Sequence, residues 1–90
     1  MSEFEWDIQK AEANLAKHGI DFEDAIEVFE QPNLTVRSDE RSEERFKSVG
    51  LMGARSVTVI WTWRGDIKRI ISARSARHEE REAYRQSVGG

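Results

Sequence analysis

The first third of the chain carries apolar residues at the spacing of amphipathic helices. Ile8, Ala11 and Leu15 recur every three or four residues after Asp7, a residue that can cap a helix N-terminus. A second apolar face follows at i, i+3, i+4 and i+7 and stops at Pro32; its members are Phe22, Ala25, Ile26 and Phe29. The pattern predicts two short antiparallel helices, because only a brief connection separates them.

After Pro32 the period of the apolar residues changes from about 3.6 to about 2, which is typical of β-strands. The alternation is clearest where valines and tryptophans alternate with Ser, Thr and Ile, and Gly65-Asp66 can form the hairpin turn that follows. Four antiparallel strands are predicted: Leu34 to Arg37, Glu44 to Leu51, Arg55 to Trp63 and Ile67 to Arg74.

The remaining segments complete an α+β fold. The charged stretch Ser38 to Arg45 is predicted to be a loop, and Ser75 can cap a last helix from Ala76 to about Ser87. Ala76, Ala83 and Tyr84 are its expected core contacts. We therefore expect a single domain over residues 1–90 with two N-terminal helices, a four-stranded antiparallel sheet and a C-terminal helix.

Charge is unevenly distributed along the chain, although the net charge is only -3. Residues 1–33 hold two lysines against nine acids, a charge of -7, while residues 34–77 hold ten bases against five acids, a charge of +5. Residues 78–90 contribute -1. Two interpretations stay open at this point: the strand arginines are ordinary solvated residues, or the sheet presents a basic face to RNA.

Several classes of protein are disfavoured by composition. No window approaches the roughly 18 apolar residues of a membrane span, and the first residues are acidic where a secretion signal would be basic, so we expect a cytoplasmic protein. The chain has no cysteine, which excludes disulfides and a thiol nucleophile. Its two histidines, His18 and His78, lack metal-ligand spacing, so neither a metal nor a cofactor is expected.

Short motifs in both halves of the chain indicate a protein family. The first half contains Phe4-Glu5-Trp6-Asp7, Lys10-Ala11, Asn14, Lys17-His18-Gly19, Phe22, Ala25, Val28-Phe29 and Pro32. The second half contains Glu43, Arg45, Val49-Gly50, Gly53, Val59, Thr62, Arg64-Gly65, the run Arg69 to Arg74, Glu80 and Tyr84. Together they resemble the BrnT family of ribonuclease toxins from type II toxin-antitoxin systems, over roughly Phe4 to Tyr84.

The resemblance implies a RelE-like fold and an activity. The implied activity is that of a metal-independent endoribonuclease. Such an enzyme cleaves RNA by attack of the 2′-hydroxyl, and the cleavage inhibits translation and arrests growth. The resemblance also implies a BrnA-type antitoxin that neutralises the toxin and carries operator DNA binding, and it leaves open a homodimer within a heterotetramer. No membrane partner is implied.

Such cleavage needs a base near the 2′-hydroxyl, an acid near the leaving oxygen, and cations that stabilise the negative charge of the phosphorane. On the resemblance and on side-chain chemistry, the candidate catalytic residues are Arg64, Arg74, Arg45, Glu80, Tyr84 and His18. The candidate RNA-binding residues are Lys17, Lys47, Lys68 and Arg69. Because Arg64 and Arg74 flank the clearest predicted hairpin, we expect them to contribute more than His18, provided that they share a face of the sheet.

Each candidate also has a structural interpretation. The arginines can be solvated or ion-paired, Lys17-His18 before a glycine is typical of helix C-capping, and Tyr84 can anchor the last helix while Glu80 pairs with a strand arginine. Trp61 and Trp63 are expected in the core rather than on a stacking platform. A non-catalytic corepressor module with the same fold stays open. A DNA-binding regulator is disfavoured because no helix carries clustered bases.

Overall fold

The computed structural model describes residues 3–40 and 43–89, which form a five-stranded mixed sheet flanked by helices. The order of the sheet is β1-β5-β4-β3-β2. The elements are β1 Phe4–Glu5, α1 Ile8–His18, α2 Phe22–Ala25, a 3-10 helix Ile26–Glu30, β2 Leu34–Glu40, β3 Glu43–Met52, β4 Arg55–Arg64, β5 Ile67–Ser75, α3 His78–Tyr84 and a π-helical turn Arg85–Gly89. The α+β class predicted from the sequence is confirmed.

Strands β2 to β5 form the antiparallel meander that the alternating pattern predicts, but the sheet has one strand more. Strand β1 pairs parallel to β5, with Phe4 opposite Lys68 and Glu5 opposite Arg69. The prediction of a four-stranded, wholly antiparallel sheet was therefore wrong. A two-residue strand contains no measurable period, so no local pattern could indicate it.

The predicted loop from Ser38 to Arg45 was also wrong, since its ends belong to strands. Strand β2 runs to Glu40 and β3 begins at Glu43, and Ser38 lies opposite Arg45 in the register. The register of β3 with β4 begins only at Phe46. The paired segments Ser38 to Glu40 and Glu43 to Arg45 thus lie beyond the register of β3 with β4, and a two-stranded ribbon needs no apolar alternation.

The hydrophobic core lies between one face of the sheet, the inner face, and the N-terminal helices. Alternate residues of β4 and β5 pack against α2 and the segments next to it; the buried set is Val57, Val59, Trp61, Ile70, Ala73, Ile20, Phe22, Ala25 and Val28. The 3-10 helix approaches β3 very closely, because a Cβ on Gly50 would lie 3.0 Å from Cγ1 of Val28. This packing leaves the outer face of the sheet to α3 and to solvent.

Helix α1 buries a polar residue most deeply, while Ala11 of its apolar stripe is partly buried against the core and the other two stripe residues are exposed. Ile8 and Leu15 are 69% and 48% exposed, whereas Asn14 is 7% exposed. The side chain of Asn14 accepts the N–H of Ala73 at 3.2 Å and donates to the carbonyl of Ala73 at 2.9 Å and to that of Ile20 at 3.1 Å. Asn14 therefore occupies the edge of β5 beyond β1, and it satisfies backbone groups that an edge strand would leave unpaired.

Helix α3 begins two residues later than the sequence predicts. Ser75 still belongs to β5, opposite Val57, and the N–H of Ala76 donates to the carbonyl of Ser56 at 3.0 Å. The predicted cap at Ser75 was therefore wrong, and Arg77 takes the N-cap position. Of the three expected core contacts, Ala76 is buried, Tyr84 is half-buried and Ala83 is exposed. Within residues 3–40 and 43–89 no helix is both long and apolar enough to span a bilayer.

Candidate functional site

The outer face of the sheet carries a cationic groove, which we call the outer groove. Strand alternation puts Lys47 opposite Ile60, Ile60 opposite Ser72, and Thr58 opposite Arg74 on this face. The groove is lined by Ser38, Arg45, Lys47, Ile60, Ile71, Ser72, Arg74 and Arg77. Four of these eight residues are cationic, and no acid is among the described residues that line it. The groove is therefore suited to an anionic ligand.

An irregularity of β5 shapes the groove at its centre. Ile60 lies opposite Ser72 while the next residue, Trp61, lies opposite Ile70, so Ile71 has no opposite residue in β4. A bulge of this kind increases the local twist of a strand and turns a side chain out of the alternating pattern. Ile71 consequently lines the groove from the edge of the sheet.

Glu80 joins α3 to the outer face through four hydrogen bonds. Its carboxylate accepts two from Arg74, at 2.8 and 2.9 Å, one from Oγ1 of Thr58 at 2.8 Å, and one from the N–H of Arg77 at 2.8 Å. The Arg74 and Glu80 side chains are only 14% and 15% exposed. The interpretation that Glu80 pairs with a strand arginine is thus confirmed.

This arrangement fixes the charge of both partners. The hydrogen bonds from Arg74 lower the pKa of Glu80 to about 2, helped by the Arg77 N–H and the Thr58 hydroxyl and opposed by burial. The same hydrogen bonds raise the pKa of Arg74 above its ordinary value. Glu80 is therefore ionised at neutral pH, and both of its oxygens already accept hydrogen bonds. It is a poor candidate for a general acid.

A second depression, which we call the α1 depression, adjoins the outer groove across the edge of β5. It is lined by Lys10, Ala13, Asn14, Lys17, His18, Ile71 and Ser72, and it shares Ile71 and Ser72 with the groove. Two of the predicted site residues, Lys17 and His18, therefore lie beside the groove rather than in it. They also form the last turn of α1 before Gly19, whose φ of 70° matches the helix C-cap interpretation.

The structure places Arg64 far from Arg74 although both belong to the outer face. Arg64 lies opposite Ile67 at the hairpin end, and Arg74 lies opposite Thr58, six positions away along β4. At about 3.4 Å per residue the two backbone positions are roughly 20 Å apart. The expected shared face is present, but the two arginines do not meet in one site.

Three further candidates lie outside the groove. Lys68 points to the inner face, where its Nζ lies 4.7 to 5.9 Å from the ring centroids of four aromatic residues, Phe4, Phe29, Trp61 and Trp63. Arg69 is ion-paired with Glu5 at 2.8 Å. Tyr84 is half-buried on α3, one turn beyond Glu80. The contacts of Lys68 and Arg69 indicate structural roles for these two residues.

The two tryptophans behave differently on the same face. Trp61 is buried, and its indole N–H donates to Oγ of Ser48 at 2.9 Å, so its predicted place in the core is confirmed. Trp63 is exposed and packs edge-on against Trp61. Its predicted burial was therefore wrong.

Arg77 is a groove residue that the sequence analysis missed. It lies between β5 and α3, where no strand or helix pattern marks a side chain as facing a site. One signal was available: an acid three residues after a helix N-cap is a known capping pattern, and Glu80 stands at that distance from Arg77. Among the residues that the structure describes, no group of three or more His, Asp or Glu side chains could hold a metal ion.

The fold and the groove together define a small α+β protein with a concave cationic surface that is suited to an anionic ligand. Comparison with known proteins gives the family. The family model for the ribonuclease toxin BrnT of type II toxin-antitoxin systems matches residues 6–80. The chain therefore belongs to the BrnT family, and this membership implies an antitoxin partner.

A solved structure agrees with this assignment. The chain is similar to the Brucella abortus ribonuclease toxin BrnT, whose crystal structure was determined at 1.1 Å resolution, with 28% sequence identity and a TM-score of 0.67. The match covers 87% of this chain and 100% of that one. No curated protein sequence matches the chain significantly.

Proposed function

We propose that this protein is a metal-independent endoribonuclease toxin that binds and cleaves RNA at the outer groove. The observation that carries the proposal is the convergence of Arg45, Lys47, Arg74 and Arg77 on one concave surface of a chain from a family of ribonuclease toxins. Arginine offers a fixed fork of donors that matches phosphate oxygens, and lysine adds a compact positive charge.

In the proposed reaction the 2′-oxygen bonds to phosphorus while the bond from phosphorus to the 5′-oxygen breaks. The 2′-hydroxyl loses its proton to a base, and the departing 5′-oxygen takes up a proton. Arg45, Lys47 and Arg77 stabilise the negative charge that develops on the phosphorane. Arg74 forms a rigid wall of the groove because Glu80 holds its guanidinium.

His18 is the proposed proton-exchanging residue beside the groove. The imidazole ring carries nitrogen atoms that can donate or accept a proton, and His18 lines the depression that shares Ser72 with the groove. Glu80 serves as a positioning residue, since its pKa of about 2 keeps it ionised. Tyr84, Lys68, Arg69 and Arg64 are assigned no contact with the reacting phosphate, because none of them lines the groove.

Purified variants test this proposal directly. Lys47→Gln and Arg77→Gln should each slow cleavage of one RNA substrate on the order of 10²-fold, the usual scale for loss of one preorganised oxyanion donor. Arg64→Gln is the matched control and should cleave at nearly the wild-type rate, because Arg64 lies at the far end of β4. Cleavage should persist in EDTA and leave cyclic or 3′-phosphate ends.

Two results would contradict the proposal. The groove would not be the active surface if Arg64→Gln lost activity while folded Lys47→Gln and Arg77→Gln kept it. Wild-type protein that binds RNA and its antitoxin but never cuts RNA would favour the non-catalytic corepressor module. Melting curves of each variant separate loss of chemistry from loss of folding.

The proposed partner is a BrnA-type antitoxin that covers the outer groove and supplies the binding to operator DNA. A segment that inserts acidic side chains between Arg45, Lys47 and Arg77 would complement the charge of the groove. Occupation of the groove would exclude RNA and so prevent translation inhibition and growth arrest. A homodimer within a heterotetramer is the proposed assembly.

A further inference from the structure

We infer that the α1 depression is a second phosphate subsite, which holds a flanking nucleotide of the same RNA strand that the outer groove cleaves. This inference rests on the proposed function and deepens it. It assigns a role to Lys10, which neither the sequence pattern nor the family resemblance places in the site.

The distribution of charge in the N-terminal third supports the subsite. Residues 1–33 hold nine acids and only two bases, Lys10 and Lys17. Both bases line the α1 depression, seven residues apart on one face of α1, and no acid is among the described residues that line it. The two positive charges of an otherwise acidic segment therefore lie together next to the groove.

The end of a helix that carries Lys17 would by itself repel an anion. The last carbonyl groups of a helix give its C-terminus a partial negative charge. Lys17 and His18 occupy the last turn of α1, and the N–H of Gly19 donates to the carbonyl of Leu15 at 2.8 Å. The lysine ammonium more than offsets the partial charge of the helix end, so the depression attracts phosphate.

The two concavities share part of their lining on β5. Ile71 and Ser72 line both of them, and the bulge at Ile71 lies where they meet. Asn14 fixes their relative position, because its Oδ1 accepts the N–H of Ala73 at 3.2 Å and the hydroxyl of Ser72 at 3.3 Å. A strand whose scissile phosphate lies in the groove can therefore place a neighbouring phosphate between Lys10 and Lys17.

The side chains of the subsite indicate which part of the RNA it recognises. No aromatic side chain is among its described lining residues apart from the imidazole of His18, and its principal donors are ammonium groups. Ammonium groups bind phosphate oxygens without regard to the base. The subsite should therefore add affinity for longer strands and add little sequence preference.

The test compares the salt dependence of binding for two uncleavable RNAs, a dinucleotide and an octanucleotide, both carrying 2′-O-methyl groups. Lys10→Gln/Lys17→Gln should bind the octanucleotide more weakly, with a slope of log K against log salt that is smaller by about 0.7, the value for one lost phosphate contact on a single strand. Its affinity for the dinucleotide should equal that of the wild type. Arg55→Gln/Arg85→Gln removes the same charge outside both concavities and serves as the control.

The outcomes separate the two proposals. If the wild type binds neither RNA, the proposed function fails and the subsite fails with it. If the wild type binds both RNAs but the lysine variant keeps the wild-type slope, only the subsite is overturned. An equal change of slope in the lysine variant and in the arginine control would also overturn it, since the effect would then come from net charge.

Discussion

The carboxylate of Glu80 accepts hydrogen bonds from donor groups of the kind that also bind phosphate. A guanidinium, a hydroxyl and a backbone N–H converge on its carboxylate at 2.8 to 2.9 Å. Because a carboxylate removed from water needs such partners, the residue that resembles a catalytic acid in the sequence attaches α3 to the sheet instead. Its role was open in the sequence because pairing depends on register and on the start of α3.

Acid should weaken this attachment in a defined window. The pKa of Glu80 is lowered to about 2 from an ordinary value of 4.5, so its ion pair contributes full stability above about pH 4.5 and loses it as the pH falls toward 2. Urea midpoints of the wild type and of Glu80→Gln, measured from pH 7 to pH 2, test this. The difference between the two proteins should be constant above pH 5 and shrink below it.

A difference that stays constant down to pH 2 would show that Glu80 titrates at the same pH in the folded and unfolded states. Glu82→Gln is a suitable control, because Glu82 of α3 forms an exposed pair with Arg85 of the π-helical turn that follows. Exposed pairs contribute little to stability, so this control should show a much smaller dependence on pH.

At the scale of elements, α1 is the part of the fold that the sequence predicted least well. Its bounds follow from Asp7 and Gly19, but its most buried residue, Asn14, does not belong to its apolar spacing. The helix covers the edge of β5 instead of the middle of the sheet, and an edge presents backbone N–H and C=O groups. A carboxamide, which donates and accepts at once, fits that edge better than Leu15 would.

Replacing Asn14 should therefore cost more than replacing either exposed apolar residue of α1. Asn14→Leu leaves the N–H and the carbonyl of Ala73 without their side-chain partner, at about 1 to 3 kcal/mol for each buried group left unsatisfied. Leu15→Ala, at a position that is 48% exposed, should change the free energy of unfolding far less. Urea unfolding of the two variants gives the comparison.

Asn14→Asp is a sharper variant of the same test. A carboxylate can still accept the N–H of Ala73 but cannot donate to the carbonyls of Ala73 and Ile20. It should therefore also be strongly destabilised. Equal stability of the wild type and both Asn14 variants would mean that the edge of β5 does not depend on α1.

At the scale of the whole molecule, the structure agrees in part with each of the two interpretations of the charge distribution, since only some of the strand cations gather on one face. Alternation and register divide the strand cations between two faces: Lys47 and Arg74 face the groove, while Lys68 lies among aromatic rings. The sequence predicts the strands and the cationic character of the sheet. It could not assign each cation to a face, because a bulge at Ile71 and a two-residue strand leave no periodic signal.

The proposed antitoxin should cover the outer groove and leave the inner face of the sheet unchanged. Co-expression of the toxin with the small protein encoded beside it should restore growth and yield a stable complex. In that complex Lys47 should be protected from amine-modifying reagents, whereas Lys68 should react equally with and without the partner, because only Lys47 lines the groove. Mass spectrometry of the modified lysines measures this. Equal labelling of Lys47 in free toxin and complex would place the partner elsewhere.

The closure of β1 and α1 onto β5 also sets an order of events during synthesis. Asn14 meets Ala73 across 59 positions of the chain, and Glu5 meets Arg69 across 64. A ribosome releases the N-terminal segment first, and contacts between distant positions must wait until the later partner has left the exit tunnel. The edge of the sheet and the groove beside it are therefore assembled only after nearly the whole chain has been made. A truncated nascent chain that lacks β5 would therefore have α1 but no sheet edge for Asn14 to pack against.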